Sequence, residues 1–312
     1  MPASIRRYSP RVDSSGNREV NPVSAKHPII SITGSSGAGT TSVKAIFELI
    51  FRRENVVAAY IEGDAFHRYD REAMKVRIAE EEAQGNNHFS HFNPDANELD
   101  ILAEVFDEYG RTGSGRTRTY MHDEQEATQH GQPAGTFTPW RQFEASDLLF
   151  YEGLHGCAVT ETANLAKLAD LKIGVVPVIN LEWIQKIHRD QASRGYSTEA
   201  VMDTILRRMP DYVRYITPQF SETHINFQRV PVVDTSNPFV ARWIPTPDES
   251  MLVIRFANPR GIDFPYLLSM IGDSFMSRAN TIVMPGNKLD LAMQVILTPL
   301  ILQLVERKRR SS

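Results

Sequence analysis

The sequence predicts an α/β fold whose mainly parallel central sheet is flanked by helices, and three observations support this fold class. Short apolar runs rich in β-branched residues alternate with segments of helical spacing, as in βαβ units. The run 171–181 is apolar along most of its length, which is typical of a strand buried on both faces. A glycine-rich loop at 34–39 lies between the first strand-like run and the first helical one.

Each predicted element follows from its own residue pattern. The first helix carries Val43, Phe47 and Ile50 on one face. The last helix ends in basic residues, which suit the negative end of a helix dipole. The late strands and this helix form a C-terminal strand and helix elaboration. In chain order, strands are predicted at 28–33, 56–62, 148–151, 171–181, 230–233 and 251–254, and helices at 41–53, 98–109, within 182–217 and at 289–310.

Composition excludes several classes of function. A formal net charge of −4 over 312 residues does not favour binding to nucleic acid. The single cysteine, Cys157, can form neither an internal disulfide nor a cysteine-rich metal site. The most apolar segment, 289–305, is interrupted by Asp290 and Pro299, so we expect no membrane span and a cytoplasmic protein.

We expect a single α/β domain over residues 27–312, with the elaboration at its C-terminal end. Residues 1–26 are predicted to form a flexible tail. Their arginines and serines leave an organelle presequence open as the alternative.

The loop that follows the first strand has the spacing of a phosphate-binding P-loop. Its glycines let successive backbone N–H groups point at phosphate oxygens, and the following helix adds positive potential. Thr40 stands where such loops usually have lysine, and Thr41 stands where a hydroxyl binds Mg²⁺. A glycine-rich turn without a ligand is the alternative. The predicted nucleotide-binding residues are Gly34, Ser35, Ser36, Gly37, Ala38, Gly39, Thr40, Thr41 and Ser42.

Two acidic residues come at the ends of predicted strands. Asp64 follows the second strand, beside the phosphate loop, where it is placed to accept a proton from an attacking hydroxyl. Capping of the next helix is its alternative role. Glu152 ends the strand 148–151 in the manner of a Walker-B acid and is a candidate Mg²⁺ ligand. An ordinary carboxylate at a strand end is the alternative for Glu152.

Cationic residues are needed because the usual loop lysine is missing. Lys186, Arg189, Asp190 and Arg194 recur at spacings of three, one and four, which places them along one side of a helix. Such a stripe can close over phosphates as a lid, whereas a salt-bridged solvated face is the commoner use of the pattern. His67 and Arg71 follow Asp64 and can face an anionic substrate, or can lie on a solvated helix face.

Together these segments resemble the phosphoribulokinase family, and its bacterial branch most closely. The resemblance covers roughly 27–305, and the pattern K-x-x-R-D-x-x-x-R-G-x-[S/T]-x-E is its most specific part. The matching segments are Gly34-Ser-Ser-Gly-Ala-Gly-Thr-Thr41, Glu62-Gly-Asp-Ala-Phe-His67, Gly115-Arg-Thr-Arg-Thr-Tyr120, Tyr151-Glu-Gly-Leu-His155 and the stripe from Lys186 to Glu199.

The resemblance implies a P-loop kinase fold and an enzyme that uses ATP and Mg²⁺ to convert ribulose 5-phosphate to ribulose 1,5-bisphosphate in the Calvin cycle. It implies that Asp64 deprotonates the C1 hydroxyl and that Asp190 is a second catalytic carboxylate or a Mg²⁺ ligand. His67, Arg71, Arg189 and Arg194, with Lys186 beside them, would bind the sugar phosphate or the transferring phosphoryl group. A homo-oligomer activated by NADH and inhibited by AMP is the usual form of this branch.

Two other functions remain open on sequence. Uridine kinase has a similar core and lid, but its lid usually has another arginine after the glycine, where this chain has Tyr196. A P-loop switch protein would bind nucleotide without turning over a small molecule. The base-like Asp64 and the cationic stripe favour chemistry.

Overall fold

The structure is a computed structural model, and it describes residues 26–35, 40–194 and 197–311. The predicted tail therefore lies outside the described residues, except for Lys26. The strands are β1 (Ile29–Thr33), β2 (Ala58–Glu62), β3 (Arg116–Thr117), β4 (Arg141–Gln142), β5 (Leu148–Gly153), β6 (Leu171–Val176), β7 (Ile225–Pro231), β8 (Ser250–Phe256), β9 (Phe275–Arg278) and β10 (Thr281–Pro285). The helices are α1 (Thr40–Arg53), α2 (Arg71–Ala83), α3 (Leu99–Thr112), α4 (Glu124–His130), α5 (Leu165–Leu168), α6 (Ile179–Arg194), α7 (Thr198–Asp211), α8 (Phe264–Met270) and α9 (Leu289–Ser311).

The main sheet has eight strands in the order β2-β5-β1-β6-β7-β8-β10-β9. The pairs from β2 through β7 are parallel, as crossover connections through helices require. The pairs from β7 to β9 are antiparallel. The predicted mainly parallel sheet and its C-terminal elaboration are therefore confirmed, with the elaboration widening the sheet at one edge.

Helices cover both faces of the sheet, and strand β1 shows why. Successive side chains of a strand point to opposite faces. Ile29 packs with α3 in one core, whereas Ile30 and Ile32 pack with α1 and α9 in the other. All three isoleucines are fully buried, so the apolar run of β1 is a strand covered on both sides.

Helix α9 is long and apolar enough to cross a membrane by length and composition. Its buried residues recur at helical spacing and include Ala292, Met293, Leu297 and Ile301, each at 0% exposure. They belong to the same core as α1 and β1. This packing accounts for the apolar character of α9 as that of a core helix.

Two predicted strands have different limits in the structure. The apolar run 171–181 divides, because β6 ends at Val176 and α6 begins at Ile179. The strand predicted at 230–233 is wrong in position, since β7 spans Ile225–Pro231 and Val232 is 63% exposed. The polar residues within β7 hide its alternation.

Candidate active site

The carboxyl ends of three neighbouring parallel strands form the candidate site. In the sheet register Glu152 of β5 lies beside Ile32 of β1 and beside Glu62 of β2. A Cβ atom on Gly63 would lie only 2.9 Å from the Cα of Gly153, so this close approach of two strand ends requires glycine. Ligands of α/β proteins collect at this edge of the sheet.

The phosphate loop starts at this edge. The Gly34 N–H donates to the carbonyl oxygen of Gly153 at 3.2 Å, which ties the start of the loop to β5. The predicted loop residues Ser36, Gly37, Ala38 and Gly39 lie outside the described residues, as do the side chains of Thr40, Thr41 and Ser42. The described backbone has a strand, β1, before these residues and a helix, α1, after them, which is the order that a P-loop requires.

Asp64 lies in a single helical turn at the end of β2, between two histidines. Its Oδ1 is 3.2 Å from Nε2 of His67, and its Oδ2 is 3.4 Å from Nε2 of His122. The Asp64 side chain is 38% exposed, whereas the His67 side chain is 7% exposed. The carboxylate is thus open to a ligand on one side and held by an imidazole on the other. Asp64 does not cap α2, because that role belongs to Asp70.

The two partners shift each other's ionisation. Burial would raise the pKa of Asp64, but His67, with help from His122 and His91, lowers the pKa well below its ordinary value. Burial would lower the pKa of His67, but Asp64 and a hydrogen bond to Asn97 raise it above the ordinary value. Asp64 is therefore ionised at neutral pH.

Arg118 holds the turn that carries Asp64. Its Nε donates to the carbonyl oxygen of Ala65 at 2.7 Å, and its Nη2 donates to that of His67 at 2.9 Å. Nη2 is also 2.9 Å from Oε2 of Glu98. The guanidinium stacks on Phe137 at 3.9 Å from the ring centroid. These contacts surround the guanidinium and fix the backbone on the C-terminal side of Asp64.

The predicted cationic stripe is present on α6, and its charges are paired. Nζ of Lys186 is 2.7 Å from Oδ2 of Asp190, and Nε of Arg189 is 3.0 Å from Oδ1. The Asp190 side chain is 5% exposed, whereas the Arg189 side chain is 36% exposed. Asp190 therefore orients two cations from the interior of the protein. The side chain of Arg194 lies outside the described residues.

A buried acid, which the sequence analysis missed, connects α6 to the phosphate loop. Glu182 accepts a short hydrogen bond from the Ser35 hydroxyl. Burial raises the pKa of Glu182 above its ordinary value. Glu182 stands one helical turn before Lys186, so the stripe is set at a fixed position relative to the start of the loop. Nothing in its spacing distinguishes Glu182 from a surface acid.

Two further cations lie near the strand ends. Lys44 of α1 pairs with Glu62 at 2.5 Å, and nearby carboxylates, with Glu152 among them, raise its pKa against the effect of burial. Lys44 was not predicted, although its place four residues after Thr40 puts it in the first turns of the helix. Arg71 donates to the His122 carbonyl oxygen at 2.7 Å. Arg71 is thus joined to Asp64 through His122.

A buried amide holds the segment that follows β5. Oε1 of Gln219 accepts from the Thr33 hydroxyl at 3.0 Å and from the Cys157 N–H at 3.1 Å. Its Nε2 donates to the Leu154 carbonyl oxygen at 3.0 Å. The end of β1 and the residues after Glu152 are fixed to one another by this single side chain.

Mg²⁺ usually binds through one or two carboxylates together with substrate phosphates. Over the ranges that the structure describes, no group of three or more His, Cys, Asp or Glu side chains could hold a metal ion. Glu152, half-buried at the end of β5, is the described acid that best fits this limited role.

A parallel sheet with a phosphate loop, an ionised acid and a cationic helix at one edge defines a P-loop kinase. The family model "Phosphoribulokinase / Uridine kinase family" matches residues 29–236. A phosphoribulokinase of Nitrobacter vulgaris is 74% identical over 92% of this chain and 99% of its own length. Phosphoribulokinase 1 of Cereibacter sphaeroides is 68% identical over 92% of this chain and 99% of its own length.

Structural comparison agrees with these relatives. The solved phosphoribulokinase from Rhodobacter spheroides has a TM-score of 0.84 and 66% identity, covering 92% of this chain and 100% of that chain. The chain belongs to the phosphoribulokinase / uridine kinase family, on its phosphoribulokinase side. The resemblance seen in the sequence is confirmed, and the relatives favour it over the nucleoside kinase and the switch protein.

Proposed function

We propose that the protein transfers the γ-phosphoryl group of ATP to the C1 hydroxyl of ribulose 5-phosphate, giving ribulose 1,5-bisphosphate and ADP. The observation that carries the proposal is Asp64, an ionised and accessible carboxylate at the end of β2 beside the start of the phosphate loop. The phosphoribulokinases of similar sequence support the choice of substrate.

Asp64 is proposed as the general base. A low pKa makes Asp64 a weak base, which suits phosphoryl transfer because the transition state is loose and the attacking oxygen loses its proton late. Oδ2, on the His122 side, is the oxygen left free by the His67 contact and would receive the proton. His67 would then hold the carboxylate in place, a role that its burial fits better than direct binding of a phosphate.

We propose ATP and Mg²⁺ as cofactors. The loop 34–42 would hold the nucleotide phosphates, with Mg²⁺ at the Thr41 hydroxyl and Glu152, as one or two protein oxygens suffice for this ion. The bound Mg²⁺ would neutralise charge that develops on the transferring phosphoryl group. Asp190, whose oxygens already bind Lys186 and Arg189, would serve mainly to orient those cations.

The cations of α6 are proposed to take the place of the missing loop lysine. Burial lowers the pKa of Lys186, and the hydrogen bond that its ammonium group donates to Asp190 opposes this effect. That contact holds the ammonium group in one orientation before a ligand binds. Arg189 has much of its side chain exposed and can reach a phosphate. Arg194 and Arg71 are proposed to bind the sugar phosphate.

The test is Asp64→Asn in an assay that couples ADP release to a signal. We expect ATP affinity to change little and kcat to fall by roughly 10²–10⁴. Asp100→Asn is the matched control, since its side chain is 56% exposed and lies on α3. Uridine replaces ribulose 5-phosphate in a parallel assay. Near-normal turnover by Asp64→Asn would contradict the base, and turnover of uridine would contradict the substrate.

We further propose a cytoplasmic homo-oligomer that responds to NADH and AMP. A cleft of about 690 Å³ opens at the antiparallel end of the sheet and is lined by Arg255 and Arg278, which suit a nucleotide phosphate. Arg255→Met should weaken the response to NADH, whereas Arg309→Met on α9 should not. Light scattering measures the oligomer, and limited proteolysis tests whether 27–312 is one domain.

A further inference from the structure

Asn97 makes a buried contact with the histidine that holds Asp64. Asn97 is only 3% exposed, and its backbone pairs with that of His67 in an antiparallel bridge. Nδ2 of Asn97 is 2.8 Å from the Asn93 carbonyl oxygen and 3.0 Å from that of His91. Carbonyl oxygens only accept hydrogen bonds. The amide nitrogen must therefore face them, and Oδ1 must face His67.

This orientation decides which hydrogens His67 carries. Oδ1 of Asn97 is 2.9 Å from Nδ1 of His67, so Nδ1 must be the donor. Nε2 of the same ring faces Oδ1 of Asp64 at 3.2 Å. A neutral imidazole has one N–H and would leave a lone pair opposed to an oxygen at one of these contacts. Only the imidazolium satisfies both.

We propose that Asn97 is a positioning residue that holds His67 in its doubly protonated form against Asp64. The catalytic consequence rests on the proposed role of Asp64 as base. With His67 charged, Oδ1 of Asp64 is occupied by an ion pair and Oδ2 is left for the substrate proton. Without the Asn97 oxygen, His67 could donate to Asp64 as a neutral ring, and the local charge would change by one.

The other groups around His67 do not supply this second acceptor. The His91 ring stacks on His67 at 4.0 Å, and the Tyr120 ring meets it edge-on at 5.9 Å. Arg118 contacts the His67 carbonyl oxygen and opposes a positive ring. His122 faces Asp64 from the other side, and burial lowers the pKa of His155 to about 4. Asp64 and Asn97 are the groups that favour the charged ring.

The test compares Asn97→Leu with Asn97→Asp in the full-length protein. Both variants lose the amide N–H groups that support the 91–97 segment, but only aspartate keeps an oxygen facing Nδ1. Imidazole ¹⁵N shifts report how many ring nitrogens carry hydrogen. The His67 signal, one of nine histidines, is assigned from the spectrum of His67→Gln. In Asn97→Leu we expect the proton affinity of His67 to fall about tenfold or more, because a hydrogen bond to a charged group is lost.

In Asn97→Asp, we expect His67 to stay charged up to a pH at least as high as in the wild type. The basic limb of the kcat profile should move to lower pH in Asn97→Leu and should not do so in Asn97→Asp. Equal titration of His67 in the wild type and Asn97→Leu, or equal losses in both variants, would overturn the proposal.

The wild type gives a reading that needs no variant. Two protonated nitrogens on His67 at a pH where free histidine is neutral support the proposal, and one protonated nitrogen refutes it. Expected ¹⁵N shifts together with full turnover by Asp64→Asn would instead contradict the proposed base and leave the Asn97 contact supported.

Discussion

Replacement of Arg118 by methionine should both destabilise the protein and slow its turnover. Methionine keeps a long apolar stem that can pack on Phe137 and Trp140. It removes the contacts at 2.7, 2.9 and 2.9 Å to the Ala65 carbonyl, the His67 carbonyl and Glu98. Since two of these contacts lie directly after Asp64, the change acts on the turn that carries Asp64.

The size of the effect follows from the burial of the pair. Breaking a buried ion pair by removing one partner costs about 3–5 kcal/mol. The Arg118 and Glu98 side chains keep 14% and 17% exposure, so water can reach the carboxylate in the variant. We therefore expect a loss of about 3 kcal/mol in the free energy of unfolding, or roughly 6 °C or more in Tm. Displacement of Asp64 should lower kcat by about tenfold or more.

Thermal unfolding and the coupled ADP assay measure the two effects. Arg116→Met is the matched control, because Arg116 is exposed, lies in β3 two residues before Arg118 and stacks on the same Trp140 ring at 5.1 Å. The control should change stability by less than about 1 kcal/mol. Equal Tm values for the two variants would refute the argument that Arg118 holds the turn.

Three other predictions concern buried groups. Burial lowers the pKa of His155 to about 4, whereas its pKa in the unfolded chain is about 6.5. Between these two pH values only the unfolded chain binds the proton, so the stability of the protein falls as the pH falls. In urea unfolding, the free energy of unfolding of the wild type should be about 2 kcal/mol lower at pH 5 than at pH 8, and His155→Gln should lack this loss. An equal loss in the wild type and the variant would contradict the prediction. Burial raises the pKa of the Cys157 thiol to about 12, so a thiol reagent at pH 8 should label Cys157 only after unfolding. Activity should be the same after dithiothreitol or mild oxidation, and Cys157→Ser should stay active. Fast labelling of the folded enzyme would be the contrary result. In β6, a Cβ on Gly174 would lie 1.9 Å from Oδ1 of Asn226, so Gly174→Ala should lower the free energy of unfolding by about 1–3 kcal/mol. Gly272→Ala is the control and should not lower it, because no atom lies within 4 Å of the Cβ position of Gly272. Similar Tm values for the two variants would disprove the clash.

The sequence predicted those elements whose pattern is strong and local. The apolar runs of β1, β5 and β8 and the long helix α9 lie where they were expected. The limits of helix α2 were not predicted, because Met74 is its buried residue and Val76, another apolar residue, is 60% exposed among charged side chains. Strands β9 and β10 form a hairpin, and β10 pairs with β8 from Thr281 opposite Arg255 to Pro285 opposite Met251, a contact that no short window of sequence contains.

The site divides in the same way. Asp64 and the stripe on α6 were predicted, since strand ends and helical spacing can be counted along the chain. The contacts that hold the site together could not be predicted. His67 contacts Asn97, which is 30 residues away in the sequence, and Glu182 accepts from the hydroxyl of Ser35, which is 147 residues away. Paired charges also look the same in sequence as free ones, so the salt bridges of Asp190 were visible only in the structure.

The contact between Glu182 and Ser35 limits how helices α6 and α7 of this kinase can be exchanged with those of a relative. A chimera that takes α6 and α7 from another chain also brings a new residue opposite Ser35. If that residue does not accept a hydrogen bond, a serine hydroxyl is left without its partner at the first turn of the nucleotide loop. Gln219 lies beyond α7 and binds the Thr33 hydroxyl, so a graft that extends past α7 meets a second such junction at the end of β1. Successful grafting must therefore move these helices and the end of β1 as one unit.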